Sequence, residues 1–197
     1  MKHALFSRKN GSGFTLIEML AVLALIGILA AVTIPAMTSV SVSMNVTRAG
    51  QLVNDQIALA RQTAVARNRP TEVRFVTDPV DPGFSSIQLW EYDASGDNPK
   101  AVRRLERLPD AVIIKNEMSP VLMEADAAQS GTANFRALGN RPYKGIRFRA
   151  NGRVDTSLPM AKTYLTVVGR RDTAAKPANY YTLQISPLTG RVSPLRP

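Results

Sequence analysis

The sequence predicts an α+β fold in which a long, kinked and partly transmembrane N-terminal helix packs on a C-terminal antiparallel, β-rich domain. Two patterns near the N-terminus are typical of helix: an apolar run over residues 14–34, and a stripe of small and aliphatic residues that follows it. After Pro70 the chain changes to short alternating segments broken by turns, which are typical of strands. The predicted segments are 1–13, a leader; 14–35, the transmembrane half of the helix; 36–69, its amphipathic half; and 70–197, the globular domain.

The apolar run is long enough to cross a membrane. No polar side chain occurs between Met19 and Val32. About 21 helical residues reach roughly 30 Å, the thickness of the hydrocarbon core of a bilayer. One carboxylate, Glu18, lies in the first turn, where an unpaired charge in lipid would be costly. We therefore expect Glu18 to have a partner.

The residues before the run indicate its orientation. Lys2, Arg8 and Lys9 are basic and no acidic residue precedes the run, so the positive-inside rule keeps this end in the cytoplasm and sends the remainder across. A secretory signal peptide would end its apolar segment with a small-x-small cleavage site. Here the small residue, Gly13, comes before the apolar segment.

Residues 13–18, Gly-Phe-Thr-Leu-Ile-Glu, join the basic leader to the apolar run. Together these features resemble the type III signal of type IV prepilins and pseudopilins, with an ordinary signal anchor as the alternative. The resemblance implies that prepilin peptidase cleaves between Gly13 and Phe14 and N-methylates Phe14. It also implies that Glu18 is an assembly contact, which the α-amine of Phe14 on this or a neighbouring subunit can neutralise inside the membrane or the filament core.

The second half of the helix is predicted from its spacing. Residues 39–44 alternate with period two, which alone would favour a strand, but a helical stripe begins soon after them. The stripe positions are Val46, Gly50, Val53, Ile57, Ala60 and Ala64. The opposite face carries Arg48, Asn54, Asp55, Arg61 and Gln62. We therefore expect one helix over residues 14–68, kinked at Pro35 and ended by Pro70.

Seven segments of the globular domain are predicted as strands. They are residues 71–76, 87–92, 101–108, 111–114, 145–149, 163–168 and 180–185. Residues 116–143 show no clear period, and the small and polar composition of 125–133 indicates a mobile loop. Turns are predicted at Asn151-Gly152, as a hairpin, and at residues 187–190. Each turn ends in Gly-Arg-Val, which we interpret as turn chemistry in which glycine supplies a positive φ.

The part of the chain after the apolar run is basic. The protein has 25 Lys and Arg, 15 Asp and Glu, and a formal net charge of +10. The leader and Glu18 account for three bases and one acid, which leaves 22 bases and 14 acids in residues 36–197. A basic domain invites anionic partners such as nucleic acid, lipid head groups or acidic glycans. The alternative is that the charge only keeps the domain soluble.

The composition excludes most catalytic machinery. There is no cysteine, and the single histidine is His3 in the leader, so the mature chain lacks disulfides, thiolate nucleophiles, Ser-His-Asp triads and Cys/His zinc sites. The closest acidic pairs are Glu124 with Asp126 and Asp78 with Asp81. Residues 93–98 space oxygen ligands as a calcium loop would, but they lack the downstream acid, so we expect a turn. We expect no enzymatic activity, no cofactor and no metal.

Further stretches carry a second resemblance. Residues 148–154 (Phe-Arg-Ala-Asn-Gly-Arg-Val) and 185–192 (Ile-Ser-Pro-Leu-Thr-Gly-Arg-Val) resemble the GspH/FimT group of minor pseudopilins. Residues 59–64, 68–69, 72–75 and 195–197 resemble the Verru/Chthon cassette protein D family.

The second resemblance implies a pilin-like domain in a minor pilin or pseudopilin, a structural subunit of a type II secretion or type IV pilus-like filament. Its partners would be prepilin peptidase, other pilin or pseudopilin subunits and the bacterial cytoplasmic membrane. The C-terminal domain would be periplasmic or part of an extracytoplasmic filament.

An alternative function, DNA binding in DNA uptake, is implied by the FimT members of that group. Those proteins carry a basic Gly-Arg-x-Arg element near the C-terminus, whereas residues 190–193 here are Gly-Arg-Val-Ser and lack the second arginine. Phosphate contacts could still come from Arg170, Arg171, Arg191 and Arg196.

Overall fold

The computed structural model describes residues 14–77, 80, 83–124 and 129–195, and for residues 32–39 it describes the backbone alone. The predicted leader 1–13, the acids Asp78 and Asp81, and Arg196 lie outside the described residues. By its internal contacts the chain divides into two units, of which the first ends at Val40 and the second begins at Ser41. In the described ranges, no helix combines the length and the apolar character that crossing a membrane requires.

A helix comes first and a sheet follows, as the sequence predicts. Helix α1 spans Leu16–Arg67. The strands of the described ranges are β1 Thr71–Thr77, β2 Gly83–Glu91, β3 Lys100–Ala101, β4 Glu106–Arg107, β5 Val112–Lys115, β6 Gln129–Phe135, β7 Gly139–Phe148, β8 Tyr164–Gly169, β9 Tyr180–Ile185 and β10 Val192–Leu195. Short helical segments occur at Asn116–Met118, at Pro120–Met123 (α2) and at Met160–Lys162.

The strands form one antiparallel sheet, which confirms the predicted α+β class. Its main path is β10-β9-β8-β5-β2-β1-β7-β6, and β3 and β4 add to β2. Strand β1 lies in the interior of the sheet, where Val73 is paired with Leu89 of β2 and Ile146 of β7. All three side chains are buried, so this face of the sheet belongs to the core.

The predicted stripe of α1 lies at the centre of that core. Its aliphatic members are fully buried: Val46, Val53, Ile57, Ala60 and Ala64. They form one cluster with apolar side chains of β1, β2, β5, β7, β8 and β9. The hydroxyl of Thr71, at the start of β1, donates to the Ala60 carbonyl oxygen at 2.8 Å and fixes the strand against the helix.

The helix approaches the sheet closely at Gly50, where a Cβ would overlap the ring of Tyr181 in β9. The helix ends with Asn68 in the left-handed conformation, at a φ of 51°, and with the Arg69 N–H donating to the Ala64 carbonyl oxygen at 3.2 Å. This is a helix cap of the left-handed kind. Residues 40–44 are helical, so the strand alternative for this stretch is wrong. The kink at Pro35 stays a prediction.

The single strand predicted over residues 101–108 is wrong, because two short strands, β3 and β4, occupy this stretch. Each pairs with β2, through Ala101 opposite Trp90 and through Glu106 opposite Ile87. Residues 103–104 between them are two exposed arginines. Guanidinium groups without a buried partner remain in water, so the chain leaves the sheet there.

Residues 116–143, which show no clear period in the sequence, contain regular secondary structure. Strand β6 pairs with β7 along its whole length, in an antiparallel hairpin. The mobile loop predicted over 125–133 is therefore wrong for residues 129–133, and residues 125–128 lie outside the described ranges. Most of β6 is exposed, so no buried face imposes a hydrophobic alternation on its sequence.

The polar face of β1 is buried under charged and aromatic side chains. Glu72 is fully buried and Arg74 is 3% exposed. The Arg74 guanidinium lies between the rings of Trp90 and Tyr143, 4.1 and 4.2 Å from their centroids. The Glu72 carboxylate lies 3.2 Å from Nε of Arg74, so cation–π attraction and ion pairing together offset the loss of water. A Cβ on Gly145 would overlap this carboxylate.

Tyr92 joins this cluster to Arg147. The Tyr92 hydroxyl donates to the Glu72 carboxylate and accepts a hydrogen bond from Nη2 of Arg147 at 2.7 Å. Burial, followed by the hydrogen bond to Glu72, raises the pKa of Tyr92 above its ordinary value of 10.0. Burial and the negative charge of Glu72 likewise raise the pKa of Tyr143.

Candidate functional site

The start of α1 carries the predicted processing and assembly residues. Phe14 is 81% exposed and, with Thr15, precedes the first helical residue, Leu16. Gly13 lies outside the described residues. The large apolar side chains of the following turns are exposed as well: Leu16, Ile17, Met19, Leu20, Val22, Leu23, Leu25, Ile26, Ile28 and Leu29. A helix surface of this kind is suited to burial in lipid or against another apolar surface.

Glu18 has a partner within its own chain. Its carboxylate accepts hydrogen bonds from the backbone N–H and the hydroxyl of Thr15, at 2.9 and 3.0 Å. The N–H of Glu18 donates to the Thr15 hydroxyl oxygen at 3.3 Å. The two residues form a capping box, which satisfies free N–H groups in the first turn. This role was not predicted from the sequence, although a threonine three residues before a glutamate is its signature.

The two Gly-Arg-Val turns meet in space. Gly152 and Gly190 have φ values of 80° and 65°, as the turn interpretation predicts. A Cβ on Gly190 would overlap the carbonyl oxygen of Gly152. The Val154 N–H donates to the Pro187 carbonyl oxygen at 3.0 Å. The turns therefore pack directly on each other, and the hairpin predicted at 151–152 continues as an isolated bridge between Phe148 and Val154.

Arg61 of α1 binds the second of these turns, residues 187–190, to the helix. Its Nε donates to the carbonyl oxygen of Thr189 at 2.6 Å. Its aliphatic stem packs beside Gly152 and Gly190. The helical spacing placed Arg61 opposite the buried stripe, and only the fold shows that the C-terminal turn reaches around to meet it.

A groove of about 430 Å³ lies between α1 and the second turn. Its lining residues are Asn54, Ala58, Arg61, Gln62 and residues 190–193. Arg191 is exposed at this groove. Two guanidinium groups and no acidic side chain line the groove, so its local charge is positive.

The other predicted anion contacts lie elsewhere. Arg170 and Arg171 follow the C-terminal end of β8 and line a separate groove of about 370 Å³ that also contains Asp172. Because β8 and β9 are antiparallel, Arg191, which follows the turn after β9, lies near the opposite end of β8. The length of β8, roughly 20 Å, therefore separates the two groups. Arg196 lies outside the described residues.

The acidic pairs show no catalytic arrangement in the part of the chain that the structure describes. Glu124 forms an ion pair with Lys162, with 3.0 Å between Oε1 and Nζ. Its predicted companion Asp126 lies outside the described residues, as do Asp78 and Asp81. No group of three acidic or histidine side chains that could hold a metal ion occurs in the described ranges.

Residues 93–98 form the expected turn, organised by Asp93. Its carboxylate accepts hydrogen bonds from the Ser95 hydroxyl at 2.7 Å, the Asn98 side-chain amide at 2.8 Å and the Asp97 N–H at 2.8 Å. These donors favour the ionised carboxylate and lower the pKa of Asp93 to about 2. In a calcium loop such oxygen atoms would face a cation. Here the Asp93 oxygens accept hydrogen bonds from residues of the turn itself.

Comparison with known proteins gives two family matches and one structural likeness. A model of the prokaryotic N-terminal methylation motif matches residues 8–34, and a model of the type II transport protein GspH matches residues 49–189. Among solved structures, the chain is similar to the type IV minor pilin FimU of Pseudomonas aeruginosa strain PAO1, at 17% identity over 77% of this chain and 92% of that chain, with a TM-score of 0.44. None of the curated proteins matches the chain significantly.

Proposed function

The chain belongs to the type II transport protein GspH family, and we propose that it works as a processed, membrane-anchored subunit of a secretion or pilus-like filament. It is a minor pilin or pseudopilin, a structural subunit of the GspH/FimT type. The observation that carries the proposal is the order of the two matches: a methylation motif at 8–34 precedes the GspH domain at 49–189.

We propose that prepilin peptidase cleaves between Gly13 and Phe14 and methylates the new amine of Phe14. The position of Phe14 supports this proposal, because an exposed residue before the first turn of a helix is accessible to a peptidase. Mass spectrometry of the purified native protein tests it. We expect a chain that begins with N-methylated Phe14, and a chain that retains Met1 would contradict the proposal.

Anchoring in the bacterial cytoplasmic membrane is the second part of the proposal. The basic leader would remain in the cytoplasm, and the C-terminal domain would be periplasmic or part of an extracytoplasmic filament. The apolar side chains at the start of α1 support this, since they remain exposed in the described part of the first unit. Protease added to spheroplasts should degrade the domain, and complete protection of the domain would contradict this orientation.

Assembly with other pilin or pseudopilin subunits is the third part. The apolar surface of α1 would pack on that of a neighbouring subunit, and Glu18 would pair with the α-amine of a mature N-terminus. The capping box supports this role, because it holds the carboxylate at the very start of the helix, next to Phe14.

The finer family placement is also a proposal. We infer a relation to the Verru/Chthon cassette protein D family from residues 59–64, 68–69, 72–75 and 195–197. Two of these stretches, 59–64 and 72–75, supply Arg61, which binds the C-terminal turn, and the buried pair of Glu72 and Arg74. They thus contribute contacts to the packing of this domain.

DNA binding in DNA uptake is a second candidate function, and one observation favours it. Arg61 lies beside Arg191 in the groove, so the helix supplies a second cation where the linear Gly-Arg-x-Arg element lacks one. A gel-shift assay with the purified chain at low and moderate salt tests this function. Phosphate contacts predict micromolar binding that weakens steeply with salt and with Arg191→Ala, and the absence of salt-sensitive binding would contradict it.

A further inference from the structure

The two edges of the sheet differ in how well they are protected. At one end, β10 has four residues and includes Pro194, which has no N–H to offer another strand. At the other end, β6 has seven residues, Gln-Ser-Gly-Thr-Ala-Asn-Phe, with neither proline nor a charged side chain. Soluble proteins usually protect a long edge with one or the other. β6 therefore stands out as an edge that can pair.

Among the described residues, no strand lies on the outer side of β6. All seven residues pair with β7, and within the described ranges β7 is the sole strand that pairs with β6. Ser130, Gly131, Thr132 and Asn134 are exposed. A row of backbone donors and acceptors that face water is the template for adding a strand.

One end of the edge is also anchored in the folded domain. Phe135, at the end of β6, is fully buried. Its ring lies edge-on to Trp90 and Tyr143, with centroids 6.0 and 6.2 Å apart. The Arg74 guanidinium occupies the space between those two rings. Because the hairpin is anchored on this cluster, little conformational entropy remains to be lost when a partner binds.

The hairpin is positively charged. Residues 129–144 include Arg136, Arg141 and Lys144 and no acidic residue. None of the three forms an ion pair with an acid in the described part of the chain. Arg141 and Lys144 are three positions apart on β7, so they lie on opposite faces of the sheet. Acidic side chains on either face of an added strand would therefore be attracted to a cation.

We propose that β6 accepts an extended acidic segment of a partner protein, which adds to the sheet as an outer antiparallel or parallel strand. The backbone of β6 supplies hydrogen bonds, and the three cations of the hairpin select acidic side chains. A second copy of this chain fits the edge less well, because pairing β6 with β6 would bring two groups of three positive charges together. This inference concerns the globular domain and is independent of assembly through α1.

The test uses the full-length chain in detergent micelles and two fluorescent seven-residue peptides, one alternating valine with aspartate and the other valine with lysine. We expect the acidic peptide to bind in an anisotropy titration, at least tenfold more tightly than the basic one at low salt. We also expect it to slow amide hydrogen exchange in residues 129–135.

Two charge-reversed variants distinguish the effect of charges on the hairpin from the effect of the net charge of the chain. Arg136→Glu/Arg141→Glu should weaken binding of the acidic peptide about tenfold or more, whereas the matched control Arg103→Glu/Arg104→Glu, with the same net charge, should bind as the original chain does. No binding up to millimolar peptide, protection elsewhere than β6, or equal weakening by both variants would overturn the proposal. Concentration-dependent protection of β6 without peptide would also overturn it, in favour of a second copy.

Discussion

The carbonyl oxygen of Gly152 occupies the space that a Cβ on Gly190 would need. Gly190→Ala therefore adds a clash with backbone to the strain of a positive φ. We expect the substitution to lower the free energy of unfolding by about 3 kcal/mol, of which the positive φ accounts for about 1 kcal/mol. Chemical denaturation of the purified chain measures this difference.

Gly139→Ala is the matched control for that substitution. Gly139 has a φ of 71°, but apart from its own and the two adjacent residues no described atom lies within 4 Å of the place its Cβ would take. We expect a loss of about 1 kcal/mol from the backbone conformation alone. If the two variants lost the same stability, the contact between the turns would contribute nothing.

Arg74→Met tests the charged cluster on the polar face of β1. The substitution leaves the Glu72 carboxylate buried without the guanidinium that lies 3.2 Å from it. We expect the free energy of unfolding to fall by about 3 kcal/mol, the usual effect of removing one partner of a buried pair. The comparison is Arg67→Met, which breaks an ion pair with Glu91 in which the Arg67 side chain is 56% exposed. That change should lower stability by less than about 1 kcal/mol, and a loss as large as that of Arg74→Met would show that burial is not the cause.

The raised pKa values of Tyr92 and Tyr143 predict a loss of stability at alkaline pH. The folded chain holds both phenolic protons more tightly than the unfolded chain, so their contribution is complete below the unfolded pKa of 10.0 and declines as pH rises through the folded values. Tyrosinate absorbance should therefore show a phase above pH 10 to which Tyr92 and Tyr143 contribute. Tyr92→Phe should remove part of that phase, whereas a phase that this substitution leaves unchanged would refute the prediction.

Glu18→Gln separates the charge of this side chain from its role in the helix cap. Glutamine can still accept the hydrogen bonds from Thr15, so the capping box persists while the negative charge is lost. If Glu18 pairs with a neighbouring α-amine, the variant should be processed normally but incorporated into filaments several-fold less. Immunoblots of sheared filament and membrane fractions measure both properties. Wild-type incorporation of this variant, combined with a defect in Glu18→Ala, would assign Glu18 to capping alone.

The parts of the fold that were predictable are those in which one periodic face meets the core. Val46, Val53 and Ile57 follow the helical repeat, and every one of them is buried. Leu183 and Ile185 alternate with half-exposed neighbours in β9, so a pattern of period two survives there. In both elements a single buried face imposes its period on the sequence.

Other features depend on contacts between distant segments. Glu72 and Arg74 look like solvated charges until β2 and β7 place Trp90 and Tyr143 around the guanidinium. Strand β6 has no buried stripe, and its pairing comes from its partner β7. The capping box at Thr15 and Glu18 is different, because the sequence alone contains its full signature.

The hydrogen bond from Arg61 to Thr189 joins residues 128 positions apart. During synthesis α1 therefore leaves the ribosome long before the turn that it will hold. Closing a loop of that length is entropically expensive, and contacts of such high sequence separation slow the folding of β-rich domains. The stripe of α1 must wait for β8 and β9, which are also made late, before its burial is complete. The core of this domain is consequently complete only after β8 and β9 have been synthesised.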